Sequence, residues 1–377
     1  GSVKSGLTES ERIQLAADLL VDPDLARIKE SKDKYQGIKP FRSMREAWRV
    51  LTGRDEVVFG RRTLSESRMV EATASDYPKT LGDSITRHML RLYRGYPDYW
   101  RKAVNVKPLS DFRTQRPIQF GTFANLAIVA EDAAYAAFTK PTEREETYAP
   151  QKRGNTFSLS REMILNDDLR ALRAIGPSIA RAAFRTLNQF VFSTLIGNKG
   201  GGGINTDVLA NGGVIYAAAR ANIGTAALDH DSLRDSRIRM MKQNDEDTNE
   251  TLGLGVSQKP RLWVPIALGP KASVHGQSEK KPGSANNAIN DNFQAAEVYP
   301  VPYLGGDPNN WYLQAAPEEL ESIELGFVEG EEEPVILIQD SPTEGESFTK
   351  DRTTYKVRFE FGGGITNPRG LDGSIVA

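Results

Sequence analysis

Apolar residues recur at intervals of three and four in several stretches of the chain, which is the spacing of one helix face. This pattern predicts helices over residues 9–20, 43–53, 81–93, 166–196 and 232–243. The helix over residues 166–196 has the clearest pattern, because Asn166 is a good N-cap and Gly197 stops the run. Gly176 and Pro177 should break or kink it. About 20 residues follow that break, which corresponds to about 30 Å of helix.

Short β-prone runs and period-two alternation predict strands elsewhere. Pieces at residues 117–120, 126–129 and 156–159 surround polar turns, which favours a long two-stranded excursion. An isolated hairpin is marginal in water, so we expect this one to rest on another chain. Further strands are predicted at residues 261–265, 296–299, 311–314, 322–327, 335–339 and 355–361. The mixture of helices and strands indicates an α+β fold.

The first 76 residues differ from the rest because short helical pieces alternate with polar and charged stretches. The first piece ends at Asp22-Pro23-Asp24. Ser43 and Glu46 form a capping box at the start of the second piece. This composition predicts an arm of separate helices on a loose tether, and not a compact domain.

Composition then limits the classes of protein. The chain has 377 residues and no cysteine, which excludes disulfides, thiolate zinc sites and a cysteine nucleophile. No apolar run approaches the roughly 20 residues that cross a bilayer, since the longest, residues 123–138, contains Glu131 and Asp132. The chain begins Gly-Ser-Val-Lys, which we interpret as a cloning remnant or a processed terminus.

A net charge of −2 conceals a strong asymmetry between the two halves. Residues 1–199 hold 33 basic and 24 acidic side chains, whereas residues 200–377 hold 15 and 26. The segment over residues 313–348 has eleven acidic residues and no Lys or Arg. Such a separation is typical of a basic nucleic-acid face, or of two faces that attract copies of the same chain. A plain solvated surface is the third interpretation.

Three histidines and two neighbouring aspartates are candidates for chemistry. His88, His230 and His275 lie far apart in unlike contexts, and none has the spacing of a metal-ligand motif. Asp167 and Asp168 could be an acid/base or metal pair. We interpret them as capping residues, because neighbouring positions on a helix point in different directions.

Three further segments have plain interpretations. The glycines at residues 200–203 lack the Lys-Ser/Thr of a phosphate loop and predict a flexible connector. Residues 329–334 are acidic and predict a solvated turn, although they could bind a divalent cation weakly. Residues 91–102 mix basic and aromatic side chains like a nucleic-acid patch, and the aromatic residues could equally belong to a core. The sequence therefore predicts no catalytic, cofactor-binding or metal-binding residue, no cofactor and no enzyme activity.

A family resemblance extends over most of the chain. Residues 147–195, TYAPQKRGNTFSLSREMILNDDLRALRAIGPSIARAAFRTLNQFVFSTL, resemble the passage from extended loop to spine helix in major capsid proteins of tailed phages, especially Mu-like head subunits. Similar pieces precede it, FRSMREAWRVLTGRD and TASDYPKTLGDSITRHMLRLY, and others follow it, RLWVPIAL, NNWYLQAAPEELESIELGFVEGEEEPVI and YKVRFEFGGGITNPRGL. Their order and spacing, from residue 41 to residue 371, support the resemblance.

The resemblance implies the capsid-shell fold shared by tailed phages, herpesvirus capsid floors and encapsulins. The expected parts are an N-terminal arm (1–78), the start of a peripheral domain (79–106), an extended β-hairpin loop (107–159), a peripheral domain with a long spine helix (160–214), an α/β axial domain (215–317), long peripheral strands (318–362) and a C-terminal tail (363–377).

The resemblance also implies the function and the partners. The chain would self-assemble as hexamers and pentamers into an icosahedral head shell around phage DNA, inside the host bacterial cytoplasm, without a membrane. Expected partners are a portal, a scaffold or protease, decoration proteins and double-stranded DNA held by non-specific contact. We expect the basic arm and loop to lie against acidic surfaces of neighbouring subunits, including residues 318–346, so assembly should be sensitive to salt.

Some relatives join their subunits by a Lys–Asn isopeptide bond, for which Lys140, Lys152 and Asn367 are the residues to consider. They do not match that motif residue by residue, so no crosslink is predicted. The nearest alternative function is an encapsulin-like compartment shell. The remote alternative is a carboxylate-dependent cytosolic enzyme that uses Asp167 and Asp168 or the glutamates of residues 329–334.

Overall fold

The computed structural model describes residues 7–29, 31–52, 76–121, 123, 125–132, 134–135, 137–138, 141, 143–198, 209, 213–283, 288–304, 306–339 and 350–376. The helices are α1 (Glu9–Val21), α2 (Lys32–Tyr35), α3 (Met44–Thr52), α4 (Asp76–Arg94), α5 (Arg161–Leu165), α6 (Leu169–Asn188), α7 (His230–Met241) and α8 (Gly269–Gln277). The strands are β1 (Asn105–Leu109), β2 (Ile118–Phe120), β3 (Glu143–Glu145), β4 (Gln151–Ser160), β5 (Ile223–Gly224), β6 (Arg261–Pro265), β7 (Glu297–Val301), β8 (Trp311–Gln314), β9 (Ile323–Val328), β10 (Val335–Ile338), β11 (Arg352–Ile365) and β12 (Leu371–Ser374).

The chain forms two compact units, each made of three segments. The first unit comprises Gly1–Pro97, Lys152–Arg185 and Glu332–Glu360, and the second comprises Asp98–Gln151, Thr186–Glu331 and Phe361–Ala377. Both contain helices and strands, so the predicted α+β class is confirmed. The predicted domain boundaries remain predictions.

The core of the first unit joins the N-terminal helices to α4. Trp48 of α3 packs edge-on against Tyr77 of α4, with ring centroids 4.9 Å apart. Leu81 and Ile85, on the apolar face that the sequence predicted for α4, are buried in the same cluster. The prediction of separate helices on a loose tether is therefore wrong for α1 and α3, because their apolar faces are covered by α4 within the same chain.

Strands of the first unit pack on this helical core. β10 pairs antiparallel with the first part of β11, and β4 pairs with β11 as well. The Tyr355 ring of β11 stacks on Phe157 of β4, with centroids 4.9 Å apart and planes inclined by 9°. The Tyr355 hydroxyl donates a hydrogen bond to the Pro78 carbonyl at 2.9 Å, which ties the strands to α4.

The long helix is present, but its start differs from the prediction. Asn166 is not an N-cap: its backbone N–H bonds to the Glu162 carbonyl and ends α5, whose own N-cap is Ser160. Asp167 then takes a left-handed conformation with φ 56°, which separates α5 from α6. Helical structure beyond Asn188 continues as π-helical turns over Gln189–Ile196, and Gly197 ends it as predicted.

Pro177 does not break this helix, since α6 runs through it without interruption. A proline removes one backbone donor and disfavours the helix locally. Leu172 and Ala180, on either side of it, are both fully buried, so tertiary packing offsets that cost. Gly176 permits close approach to α4, because an added Cβ would lie 3.1 Å from Nδ1 of His88.

The second unit is built on a sheet with the strand order β5-β12-β8-β6-β7. β6 pairs parallel with β7 and antiparallel with β8. α7 and α8 supply Leu233, Met240 and Ala272 to the core cluster that covers this sheet. β1 and β9 pair in parallel, and β9 pairs antiparallel with the last residues of β11.

The predicted two-stranded excursion is present in the second unit, but it is shorter than expected. β2 pairs antiparallel with β3 in the register Ile118↔Glu145 to Phe120↔Glu143. The strand predicted at residues 126–129 is absent, since these residues are irregular and Leu126 is almost fully exposed. β-propensity alone does not form a strand where no partner strand is within reach.

Candidate functional site

The loop between β2 and β3, residues 121–142, exposes an unusual amount of apolar surface. Leu126, Ile128 and Tyr135 are 84%, 102% and 87% exposed. Phe123 and Phe138 are also exposed, and their rings lie 5.1 Å apart across the loop. We call these five residues the apolar tip. Exposed apolar clusters of this kind mark interaction sites.

Charged contacts fix the base of this loop to the rest of the second unit. The Arg144 guanidinium of β3 lies 2.7 Å from Glu246 and 3.4 Å from Asp247. Asn125 donates a hydrogen bond to the Glu250 carboxylate at 2.8 Å. The loop is therefore positioned by polar contacts of β3 and of Asn125, while the side chains of its apolar tip remain exposed.

Most described acidic residues of the segment over residues 313–348 have partners within their own chain. The Glu319 carboxylate accepts hydrogen bonds from three backbone N–H groups, those of Gly255, Ser257 and Gln258, at 2.8, 3.1 and 2.8 Å. Four others pair with side chains: Glu318 with Arg261, Glu321 with Lys107, Glu324 with Tyr148 and Glu333 with Arg94. Asp340, Glu344 and Glu346 lie outside the described residues. Less acidic surface is thus free for a neighbouring chain than the composition suggested.

A buried polar cluster joins α1 to α4 in the first unit. Asp18 is 1% exposed and accepts hydrogen bonds from Tyr35 at 3.0 Å, Ser84 at 2.8 Å and Arg87 at 2.7 and 2.9 Å. Burial and the Asp18 charge raise the pKa of the Tyr35 hydroxyl. Sequence reasoning missed this cluster, because Asp18 and Arg87 are 69 residues apart.

His88 lies beside this cluster and is almost fully buried. Its Nε2 is 3.8 Å from the Asp22 carboxylate, which also accepts a hydrogen bond from Arg91 at 2.8 Å. Burial lowers the pKa of His88, Asp22 opposes that shift, and Arg91 adds to it. Nδ1 of His88 has no hydrogen-bond partner among the described residues. His88 is therefore a packed core histidine.

The other two histidines belong to the second unit. The two ring nitrogens of His230 lie 3.0 Å from the Asp231 carboxylate and 2.7 Å from the Asp291 carboxylate. The hydrogen bond from His230 is the main cause that lowers the pKa of Asp231 to about 2. Burial and Lys271 lower the pKa of His275. Within the described part of the chain, no group of three or more His, Asp or Glu residues could hold a metal ion.

Asp167 and Asp168 both act in capping, as the sequence suggested, but at two different helices. The Asp168 carboxylate accepts a hydrogen bond from the Ala171 N–H at 3.0 Å, at the start of α6. The Asp167 carboxylate accepts one from the Met44 N–H at 2.6 Å, at the start of α3. Each carboxylate is therefore bound to a helix N-terminus, where negative charge is favourable.

The aromatic side chains of residues 91–102 pack within the protein. In the first unit, the Tyr96 ring stacks on Phe184, with centroids 4.6 Å apart. In the second unit, Trp100 is buried and contacts Phe327 edge-on. These rings are not available as stacking platforms for bases, so the nucleic-acid interpretation of this segment loses its basis.

The remaining candidate segments are accounted for as follows. Glu329 and Gly330 have positive φ values of 57° and 72°, consistent with the predicted turn. Lys152 is exposed on β4, and the Asn367 side chain accepts a hydrogen bond from the Arg369 N–H. Lys140 and the glycines at residues 200–203 lie outside the described residues. No described helix combines the length and the hydropathy that a membrane span requires.

Comparison with known proteins identifies the family. A profile of the family described as phage capsid protein matches residues 144–371, which is more than half of the chain. This chain belongs to the phage capsid protein family. The predicted resemblance to major capsid proteins of tailed phages is therefore confirmed, whereas the Mu-like subgroup remains a prediction. No curated protein matches the sequence.

Solved structures match this chain with low sequence identity and TM-scores below 0.5. A chain of Mycobacterium phage Patience is 11% identical, covers 86% of this chain and 91% of its own, and has a TM-score of 0.48. A chain of Mycobacterium phage Ogopogo is 15% identical over 74% of this chain and 92% of its own, with a TM-score of 0.45. The SrpI encapsulin of Synechococcus elongatus is 11% identical over 74% and 87%, with a TM-score of 0.42. The family assignment rests on the profile match.

Membership of this family defines the role of the chain. It is a major capsid protein, a structural subunit of the icosahedral phage head, and its place is the capsid of the virion. Its partners are copies of itself. The relevant sites are therefore surfaces for assembly.

Proposed function

We propose that copies of this capsid protein associate through the apolar tip and enclose double-stranded DNA in the resulting head. The observation that carries the proposal is the exposure of Leu126, Ile128 and Tyr135, which none of the described segments of their own unit covers. A neighbouring subunit would remove this surface from water. Assembly in the bacterial cytoplasm, with a portal and a scaffold or protease, is part of the same proposal.

The free energies of the two kinds of contact favour apolar burial over charge pairing as the main contribution of the loop to association between subunits. Burying a Leu or Ile side chain contributes about 1.5–3 kcal/mol. Leu126 and Ile128 together would contribute about 3–6 kcal/mol for each contact between subunits. An exposed ion pair contributes only about 0–1 kcal/mol, and many glutamates of the acidic segment already have intrachain partners. Ion pairs between the basic arm and loop of one subunit and the acidic surface of another therefore make a smaller, salt-sensitive contribution.

The test is a variant with Leu126→Asp and Ile128→Asp, observed by negative-stain electron microscopy. Both side chains are exposed in the subunit, so the variant should fold, and circular dichroism should match that of the wild type. We expect shells from the wild type and unassembled subunits from the variant. Ile289→Asp is the matched control, because Ile289 is an isoleucine of the second unit that is 88% exposed and lies outside the tip.

Shells of normal yield from the double variant would contradict the proposed role of the tip. A wild-type protein that remains a small monomer under all conditions would contradict the assembly itself. Nuclease-protected DNA in purified particles supports the phage head. Particles that hold protein cargo and no DNA would instead support the encapsulin-like compartment.

A further inference from the structure

The exposed face of α6 carries three arginines and no acidic residue. Arg170, Arg181 and Arg185 are all exposed, and the sequence of the helix contains neither Asp nor Glu. At 3.6 residues per turn they fall within a sector of about 60°, and they span about 22 Å along the helix axis. They therefore form one straight row, which we call the α6 arginine row.

The arginines of this row lack partners in the described part of the chain. Among the described residues, none of the three makes an ion pair or a side-chain hydrogen bond. The contrast with the same unit is clear: Arg87 and Arg91 bind the buried Asp18 and Asp22. Guanidinium groups held in a row without counter-charges attract a polyanion.

The side chains between the arginines are small. Ala174, Ser178 and Ala182 are exposed on the same side of the helix, and no large apolar or aromatic residue lies among them. Protein interfaces are usually anchored by buried aromatic or large apolar side chains, which this face lacks. A face that offers only charge and small side chains suits the sugar-phosphate backbone, which is bound by charge without reading the bases.

We propose that the α6 arginine row contacts the phosphates of double-stranded DNA without sequence specificity. The inference rests on the proposed function, because the DNA would be the molecule that the shell encloses. It adds which surface of the subunit meets that DNA. A row of about 22 Å lies alongside roughly a dozen phosphates of a duplex, which has one per about 1.7 Å of axis.

The test compares DNA binding by full-length variants. In the first variant, Arg170, Arg181 and Arg185 are replaced by Gln, and in the second they are replaced by Lys. The control replaces Arg12, Lys32 and Lys39 by Gln, which removes the same charge from exposed positions outside α6. Fluorescence anisotropy measures the affinity for two short duplexes of unrelated sequence between about 50 and 200 mM salt.

Each lost phosphate contact reduces the slope of log affinity against log salt by about 0.9. For the Gln variant we expect a slope smaller by about 2.7, equally for both duplexes. Over the fourfold salt range, the wild-type affinity should therefore fall about 40-fold more than that of the Gln variant. The Lys variant and the control should keep slopes close to that of the wild type.

An unchanged slope in the Gln variant would overturn the inference, as would an equal loss in the control. Gln-variant subunits that bind DNA normally but form no shells would assign α6 to a contact between copies and also overturn it. Shell formation is scored separately by microscopy on the same samples. A wild type without shells thus refutes the proposed function, while the salt slope still judges the arginine row.

Discussion

Replacing Asp18 with Asn should open the α1–α4 contact of the first unit. The carboxylate of Asp18 is 1% exposed and surrounded by donors from Tyr35, Ser84 and Arg87. An Asn side chain turns one acceptor oxygen into an NH₂ group, which then faces those donors. Breaking a buried charge pair costs about 3–5 kcal/mol. The Arg87 side chain is 44% exposed and regains water, so we expect about 3 kcal/mol, near the lower end.

Hydrogen–deuterium exchange of the unassembled subunit measures this change. A loss of about 3 kcal/mol corresponds to roughly a 100-fold decrease in protection of the peptides that cover α1 and α4. Peptides from the sheet of the second unit provide the internal reference. A double-mutant cycle with Arg87→Met should give a coupling energy of about 1–3 kcal/mol, because the two side chains are in direct contact.

Asp24→Asn is the matched control. Asp24 lies 3.8 Å from Arg27, and both side chains are largely exposed, so the expected cost is below about 0.5 kcal/mol. The reasoning fails if Asp18→Asn and Asp24→Asn reduce protection to the same extent. It also fails if the cycle with Arg87 shows no coupling, since the buried cluster would then contribute nothing to the contact.

Three further predictions follow from the same structure. Burial lowers the pKa of His88, so the stability that the neutral ring confers is present above about pH 6.5 and is lost as the pH falls below it. His88→Gln should therefore flatten the dependence of the urea midpoint on pH between about 7 and 5, and an unchanged dependence would refute this. Glu319→Gln should cost about 1–2 kcal/mol because three backbone N–H groups lose a charged acceptor. Thermal unfolding measures this cost against Glu318→Gln, because the Glu318 side chain is largely exposed, and equal effects of the two substitutions would count against the prediction. Gly82→Ala should destabilise the folded protein by about 1–3 kcal/mol although alanine favours helices, because the added Cβ would lie 2.9 Å from the Tyr355 ring. Urea unfolding measures this change, and a variant more stable than the wild type would disprove the prediction.

The local hydrophobic pattern predicted the helices and strands whose apolar residues stand out most clearly from the flanking residues. The strands at Arg261–Pro265 and Trp311–Gln314 agree with the sequence to the residue, because continuous apolar runs between turn residues fit a buried strand. The helical run that ends at Gly197 was also predicted. The start of α6 was not, since Asn166 and Asp168 are both acceptable caps and only the left-handed Asp167 between them decides which helix each residue serves.

The candidate site was only partly predictable. The sequence indicated a loop that needs another chain, and the structure shows its exposed apolar tip. It did not indicate that Arg87 and Arg91 of α4 pair with Asp18 and Asp22, because those pairs are distant in sequence. Nor did it indicate that the α6 arginine row has no partner among the described residues. The composition of the acidic segment likewise overstated its free charge, since its carboxylates have partners on other elements.

The sequence by itself determined the α+β class, most of the elements and the family, because periodicity and motif order are properties of neighbouring residues. Only the tertiary structure decided which charges are neutralised, which aromatic rings are buried and which apolar side chains remain uncovered. Those outcomes depend on contacts between residues far apart in the chain, such as Asp18 with Arg87. The free energies of burial and of charge pairing depend on these long-range contacts, and no local sequence pattern determines which contacts form.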